Sequence, residues 1–194
     1  MKMLDEDIIK ACKRKDQKAF RIVYETYSPK MMGISLRYMK NRFEAEEVLQ
    51  DSFIKLYLTI DKYKFKGSFE AWLRKIVVNT AINKLRSVIK NEMLQINEEV
   101  LNIKDSSEAE SEHYSSFENP EGYSMDEMLT AIQQLSDRNR VIFNLSEIEG
   151  YSVREIANET NLSEHTVRST LSRAKTIIRI NLEKNRKAND AKEK

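Results

Sequence analysis

One short stretch of the sequence combines residue types that can hold unpaired nucleic acid. Residues 62–69 alternate lysines with aromatic side chains around a single glycine, Gly67. In single-stranded nucleic-acid binding, cations follow the phosphates and aromatic rings stack on unpaired bases, at about 1–3 kcal/mol per base. The candidate contact residues of this stretch are Lys64, Phe65, Lys66 and Ser68. The same alternation also fits a short strand with one buried face, so both interpretations stand at this point.

The helix predicted from Glu70 to Lys90 carries a polar stripe beside its apolar face. At 100° per residue, its apolar side chains cluster on one side, and a row of bases and amides lies next to them. The row and the indole at its border comprise Trp72, Lys75, Asn79, Asn83 and Arg86. Such a row can contact phosphates and base edges together, and it can equally be an ordinary solvated face.

The most specific pattern predicts a helix-turn-helix. Ser152 and Glu155 form a capping box before a short helix, Asn161 suits the turn, and Ser163 caps a longer helix that ends near Leu182. Opposite its narrow apolar stripe, the second helix carries short polar side chains and bases, as an approach to base edges requires. The candidate DNA contacts are Ser163, Glu164, His165, Thr166, Arg168, Ser169, Ser172, Arg173 and Lys175. A helical hairpin that binds a protein partner is the alternative.

The elements that must position these residues are all predicted to be helices. Apolar residues recur at helical spacing through both halves of the chain, and four glycines and two prolines argue against a turn-rich β fold. Pro29 is expected near the start of a third helix, where proline is tolerated. Asn41 and Glu44 predict a capping box before a helix over residues 45–60. Gly150 is expected to end the helix that precedes the helix-turn-helix.

Charge divides the chain into segments. The net charge is only +2, but residues 91–124 hold nine acidic side chains against one base, Lys104. The later part of this range is rich in serine and lacks apolar periodicity, which is typical of a flexible linker. The linker is either a solvated spacer or an acidic strand that occupies a channel meant for nucleic acid. We therefore expect an all-α protein with two small helical domains, at 5–90 and 125–183, joined by a flexible acidic linker at 91–124.

Several classes of protein are disfavoured by composition. One cysteine and two histidines exclude a disulfide framework and a multi-cysteine zinc site, so no metal or cofactor is expected. An enzyme is the least expected class, because no phosphate-binding glycine loop and no nucleophile–base pair is marked by spacing. The acidic N-terminus is unlike a signal peptide, and no apolar stretch reaches the roughly 20 residues of a membrane span. We expect a cytoplasmic protein without membrane insertion, with a C-terminal tail at 184–194 that frays.

Taken together, the motifs resemble two conserved regions of the sigma-70 family of bacterial RNA polymerase sigma factors. The segments 44–53, 67–73 and 76–81 are similar to region 2, and the segments 134–136, 150–152 and 168–175 are similar to region 4. No segment similar to region 1 or region 3 fits in the chain. This two-domain form resembles the extracytoplasmic-function (ECF) group.

The resemblance implies a promoter-specificity subunit without catalysis of its own. It implies that the chain binds core RNA polymerase, promoter DNA as a duplex and as a melted non-template strand, and an anti-sigma protein. The candidate residues of the 62–69 stretch and of the stripe on the helix that follows it would contact the minus-ten element. The candidate residues of the helix-turn-helix would contact the minus-thirty-five element. The residues implied in polymerase binding are Glu46, Glu47, Leu49, Gln50, Asp51 and Phe53.

The sequence departs from the family pattern at four positions, and these leave the promoter sequence open. Val78 stands where members often have arginine, and Asn83 where they often have aspartate. His165 replaces a frequent glycine, and Thr170 replaces a base. Two rival functions remain: a free-standing helix-turn-helix regulator that uses only the C-terminal domain, and a helical adaptor for another protein.

Overall fold

The computed structural model describes residues 6–100 and 122–190, and every regular element in those ranges is helical. The helices are α1 Glu6–Lys13, α2 Gln17–Tyr38, α3 Arg42–Thr59, α4 Phe69–Val100, α5 Met125–Gln133, α6 Asp137–Phe143, α7 Val153–Thr160 and α8 Glu164–Asp190. A 3₁₀ turn, Ile60–Lys62, follows α3, and a π-helical segment, Asn144–Ile148, follows α6. The expected all-α fold is confirmed, and the short-strand interpretation of residues 62–69 is wrong.

The chain divides into two compact units, Met1–Lys84 and Leu85–Lys194. In the first unit, α1 packs on α2, and α2 packs along α3. Its core consists of apolar side chains from all four helices, among them Cys12, Val23, Met31, Tyr38, Val48, Leu56, Leu73 and Val77. Burying one large apolar side chain stabilises a fold by about 1.5–3 kcal/mol, so this core holds the unit together. Across the described ranges, no helix combines the length and apolar character needed to cross a membrane.

Helix α2 is continuous through Pro29, so the prediction that a third helix starts there is wrong. A proline inside a helix removes one backbone hydrogen bond and crowds the preceding turn. The buried side chains of Tyr27 and Met31 flank Pro29 on the core face of α2. Their burial keeps the helix in place despite the missing bond, which local sequence rules do not anticipate.

Side-chain caps begin the next helices largely where the sequence predicts them. The side chain of Asn41 accepts a hydrogen bond from the backbone N–H of Glu44 at 2.9 Å, which confirms half of the predicted capping box. The Glu44 carboxylate accepts from the Asn41 side-chain amide at 2.8 Å, where a full capping box would use the Asn41 backbone N–H. Helix α3 begins directly after this cap, at Arg42, and not at Ala45. Such caps satisfy N–H groups that have no partner within the helix, and each is worth about 1 kcal/mol.

Two helices extend beyond their predicted ends. Helix α4 continues to Val100, into the range 91–124 expected to be a linker. Helix α8 continues to Asp190, into the range 184–194 expected to fray. Residues 91–100 contain glutamate, glutamine, methionine and leucine, and residues 184–190 contain lysine, arginine and alanine. All of these residue types have high intrinsic helix propensity. Residues 101–121, which contain most of the predicted acidic linker, lie outside the described residues.

In the second unit, α5, α6 and α7 pack against α8. The core includes Ile132, Leu135, Val141, Ile142, Leu145, Ile156, Val167, Leu171 and Ile178. A charged side chain, Arg140, is fully buried among them. Its guanidinium donates hydrogen bonds to the carbonyl oxygen of Leu135 at 2.9 Å and to the carboxylate of Asp137. A buried guanidinium needs such partners because an unpaired charge in a core is strongly destabilising.

The helix-turn-helix forms as predicted. Ser152 and Glu155 make the reciprocal capping box that begins α7. Asn161 ends α7 with φ of 57°, the left-handed conformation that asparagine adopts more readily than most residues. The side chain of Ser163 accepts a hydrogen bond from the N–H of Thr166 at 3.0 Å and so caps α8. These contacts fix the turn between α7 and α8.

Candidate nucleic-acid interface

The connection before α4 forms a closed loop around Tyr63. The Tyr63 hydroxyl donates a hydrogen bond to the carbonyl oxygen of Gly67 at 2.8 Å. The buried ring of Tyr63 has three aromatic neighbours, Phe65, Phe69 and Trp72, with ring centroids 5.2, 5.3 and 5.3 Å away. We call these four aromatic residues the loop cluster. Aromatic pairs at such distances add about 0.5–1.5 kcal/mol each beyond burial, so the cluster holds the loop in a defined shape.

The predicted contact residues of this loop lie on its surface. Lys64, Lys66 and Ser68 are exposed, whereas Phe65 is half-buried. Phe65 has φ of 56°, in the left-handed region that a bulky residue rarely occupies. Such a conformation costs about 1–3 kcal/mol and persists only where surrounding contacts impose it. The loop therefore presents three polar side chains around one constrained ring.

The predicted stripe on α4 is only partly exposed. Lys75 and Asn83 are exposed, whereas Trp72 and Asn79 are half-buried. The Oδ1 atom of Asn79 is buried and finds no hydrogen-bond partner in the described part of the chain. Arg86 belongs to the second unit, where its guanidinium donates to the carbonyl oxygen of Glu159 at 3.2 Å. Lys75 and Asn83 are thus the side chains of the stripe most open to a ligand.

Helix α8 presents the polar face that the sequence predicts. Residues Glu164, His165, Arg168, Ser172 and Arg173 are exposed, and Thr166 and Ser169 are half-buried. Arg168 pairs with Glu164 at 2.9 Å, a contact between neighbouring turns of one helix. Thr170 is only 3% exposed and therefore belongs to the core side. Between residues 163 and 176 the exposed face is free of large apolar side chains, as insertion of a helix into a DNA groove requires.

Lys175 is committed to a different partner. Its ammonium lies 3.1 Å from the carboxylate of Glu147, and the two side chains are 17% and 9% exposed. Glu147 lies in the π-helical segment, an element that the sequence does not predict. Periodicity places Lys175 beside the DNA-facing stripe, but the ion pair turns its charge towards the protein.

Three of the residues implied in polymerase binding, Glu46, Leu49 and Gln50, line a groove between α2 and α3. Gln50 and Asp51 are exposed, and Glu46 pairs with Arg42 at 2.8 Å. Glu47 pairs with Lys84 of α4. The other two residues are largely internal: Leu49 is buried, and Phe53 packs on Tyr24 with ring centroids 4.8 Å apart. The groove has a volume of about 320 Å³ and is lined by Tyr24, Ser28, Pro29, Met32, Arg42, Glu46, Leu49 and Gln50.

Sequence reasoning missed an exposed apolar row on α3. Phe43, Ile54 and Leu58 are 71%, 58% and 67% exposed. At 100° per residue they lie within an arc of about 60° on the helix. Large apolar side chains exposed along one face mark surfaces for protein partners. The signal was present in the sequence as a second apolar stripe, offset from the one that forms the core.

No group of residues that could hold a metal ion is found in the described ranges. Cys12, the only cysteine of the sequence, is fully buried in α1. Burial, assisted by the nearby carboxylate of Asp16, raises the pKa of the Cys12 thiol to about 11. The thiol is therefore held protonated and has no access to solvent chemistry.

The helix-turn-helix of the second unit, with its exposed polar face, defines the chain as a DNA-binding protein, and the aromatic loop of the first unit narrows the class further. The family model for sigma-70 region 2 matches residues 23–89, and the model for sigma-70 region 4 matches residues 125–178. The ECF RNA polymerase sigma-E factor of Salmonella typhimurium is 30% identical over 187 residues, which is 91% of this chain and 93% of the relative. The chain belongs to the sigma-70 family of RNA polymerase sigma factors, in its ECF group.

Two further proteins are similar to this chain. The RNA polymerase sigma-H factor of Pseudomonas aeruginosa is 29% identical over 180 residues, covering 90% of this chain and 91% of the relative. Among solved structures, the sigma factor RpoE in complex with the anti-sigma factor NepR from Bartonella quintana is similar. It has a TM-score of 0.48 and 18% identity, covering 86% of this chain and 98% of that one. The protein is thus a transcription initiation factor that binds core RNA polymerase and promoter DNA. Members of this family are not known to be enzymes.

Proposed function

We propose that the loop cluster and its lysines capture an unpaired base of the minus-ten element. Lys64, Lys66 and Ser68 are exposed around the constrained ring of Phe65, which suits phosphate contacts on either side of a stacked base. Removing a base from the duplex costs a few kcal/mol, which one stacking contact and two phosphate contacts can offset. Lys75 and Asn83, exposed on α4, then contact the adjoining DNA.

The exposed face of α8 reads the minus-thirty-five element in the major groove. Arg173 and Ser172 lie in the middle of this face, and Arg168 lies one turn before them. Arginine is the commonest side chain in specific contacts to guanine, and short hydroxyl side chains can bond to several base edges. The ion pair between Glu164 and Arg168 orients the arginine before DNA arrives.

Core RNA polymerase docks on the outer surface of α3. The surface combines exposed acidic and amide side chains, Gln50 and Asp51, with the apolar row of Phe43, Ile54 and Leu58. An apolar centre with a polar rim is the usual composition of a protein interface. An anti-sigma protein that covered this surface would block polymerase binding, and we propose such a partner for this cytoplasmic, non-catalytic factor.

One observation carries the proposal: a single chain holds a loop suited to unpaired bases and a helix suited to the duplex. The test is transcription by bacterial core RNA polymerase on a randomised promoter library, with and without this protein. We expect initiation from a motif with two separated halves. The double variant Lys64→Ala/Lys66→Ala should lower initiation from all selected promoters without changing the selected sequence, because phosphate contacts carry no sequence information. Arg173→Ala should relax selection at the upstream half only.

The same experiment separates the rival functions. Failure to initiate, together with duplex binding by the protein alone, would indicate a free-standing regulator. Failure of both initiation and DNA binding, with a verified fold, would indicate a helical adaptor. Relaxed selection at the upstream half in Lys64→Ala/Lys66→Ala, or unchanged selection there in Arg173→Ala, would contradict the separate roles proposed for the two units.

A further inference from the structure

We propose that Lys13, in helix α1, is a positioning residue. It holds the loop of residues 63–68, which precedes α4, in the shape that captures a base of the minus-ten element. The inference rests on the proposed role of this loop. Lys13 is 50 residues away from Tyr63 in sequence, yet its ammonium donates a hydrogen bond to the Tyr63 carbonyl oxygen. The same ammonium lies 3.5 Å from the carbonyl oxygen of Asp61 and 4.8 Å from the centroid of the Phe65 ring.

These contacts explain how Phe65 keeps a left-handed backbone. A bulky residue occupies φ of 56° only where its neighbours impose it. The Tyr63 ring contacts one side of Phe65, and the Lys13 ammonium lies over the ring in a cation–π contact. Lys13 therefore holds the loop at two points: its ammonium donates a hydrogen bond to the main chain of Tyr63 and lies over the side-chain ring of Phe65.

The ammonium is delivered by a rigid support. Ile9 and Cys12, on the inner face of α1, are buried in the core. Two residues further along, Lys15 donates to the Tyr57 carbonyl oxygen at 2.6 Å and lies 3.5 Å from the Asp61 carboxylate. The turn after α1 is therefore attached to the end of α3 and to the 3₁₀ turn, which keeps the backbone of Lys13 close to the loop.

The position of Lys13 also bears on the base-binding surface. With a cation over it, the Phe65 ring is a better-fixed platform, and a stacked base can use only the part of the ring that the ammonium leaves open. The fixed positive charge adds to that of Lys64 and Lys66 without itself being exposed as they are. Lys13 thus acts through Phe65 and Tyr63 rather than by contacting DNA.

The test compares Lys13→Met with Lys10→Met in holoenzyme assembled with core polymerase. Lys10 lies one turn earlier on α1 and pairs with Glu6 and Asp7 of the same helix at 3.7 and 3.2 Å, so it is a matched control. The probes are a short single strand carrying the downstream half of a selected promoter and a duplex carrying the upstream half. Trp72, the only tryptophan of the sequence, reports on the loop in the free protein through its fluorescence.

We expect Lys13→Met to weaken binding of the single strand about tenfold, comparable to the loss of one charge-assisted hydrogen bond. Binding of the upstream duplex should stay unchanged, and the emission of Trp72 should shift. Lys10→Met should behave as the natural protein, and Lys13→Arg, which keeps the cation, should restore strand binding to within about twofold.

The inference would be overturned if Lys13→Met bound the single strand with the affinity of the unsubstituted protein and showed the same Trp72 emission. It would also be overturned if Lys10→Met lost as much affinity for the single strand as Lys13→Met. If Lys13→Met fails to fold, Lys13→Gln, which keeps a donor without the charge, takes its place and is expected to lose strand binding. If the holoenzyme with the unsubstituted protein does not bind the single strand at all, the proposed capture of a base by the loop is contradicted. The shift of Trp72 emission between Lys13→Met and Lys10→Met then decides the positioning role alone.

Discussion

Lys175 of helix α8 forms an ion pair with Glu147 of the π-helical segment, and both side chains are largely buried. The pair connects the helix proposed to read DNA with the segment that precedes the helix-turn-helix. A π-helical turn inserts a residue into a helix and often occurs at functional sites. Here the ion pair links the π-helical segment to α8 and so helps to position α8 within its unit.

We expect Lys175→Met to lower the free energy of unfolding by about 2 kcal/mol, because the Glu147 carboxylate would remain buried without its cation. Glu164→Gln, which breaks the exposed pair with Arg168, is the control and should cost at most about 0.5 kcal/mol. Urea denaturation of the two variants measures both changes. Equal effects in the two variants would show that the Lys175 pair is not more strongly coupled to folding than a surface pair.

Arg173→Ala should weaken promoter binding by the holoenzyme by about 1–3 kcal/mol, because Arg173 is exposed in the middle of the proposed DNA face. Arg179→Ala is the matched control: Arg179 is also exposed on α8 but is rotated by about 240° from Arg173. Affinity measured over a series of salt concentrations separates base contacts from phosphate contacts. Equal losses in the two variants would assign the effect to net charge alone.

Trp72→Ala should impair folding and promoter opening together, since Trp72 packs on Tyr63 and Phe69 with ring centroids 5.3 and 6.0 Å away. The half-buried ring makes a loss of about 2–3 kcal/mol in unfolding free energy reasonable. Trp72→Phe keeps an aromatic ring and should retain most of both properties. Thermal unfolding and permanganate footprinting of the open promoter give the two readouts; normal opening in Trp72→Ala would refute the assignment of the loop cluster.

Cys12 should resist alkylation by iodoacetamide in the folded protein at pH 8 and react once the protein is unfolded in urea. Burial raises the pKa of its thiol to about 11, above the ordinary value of 9.0. The folded state therefore keeps the proton where the unfolded chain loses it. This contribution to stability is fully present below about pH 9 and is lost as the pH rises through about 11. Mass spectrometry of the alkylated chain measures the protection, and rapid labelling of the native protein would contradict it.

Features set by neighbouring residues could be predicted from the sequence. The caps at Asn41, Ser152 and Ser163 and the left-handed turn at Asn161 each depend on a few adjacent residues, and all four are present. The polar face of α8 follows from helical periodicity in the same way. Local chemistry is sufficient for such features because the hydrogen-bond partners lie within four positions of each other.

Features set by distant residues could not be predicted. Helix α2 passes through Pro29 because its core contacts outweigh a local rule, and Lys175 turns to Glu147, which belongs to another element. The approach of Lys13 to Tyr63 has no trace in sequence spacing, since it depends on how α1 packs in the core. The exposure of many candidate residues follows from helical periodicity, but the contacts that hold these residues in place do not.

Phe65 occupies a backbone conformation that glycine adopts without strain. A glycine at this position would relax the backbone and at the same time remove the ring that the loop holds in place. Glycine would also lose the contacts of the ring with Tyr63 and Lys13 and add conformational freedom to the unfolded chain, so the relief of strain is offset on both counts. Residue 65 therefore couples the shape of the loop to its surface: a substitution that relaxes the backbone removes the ring proposed to stack on the base.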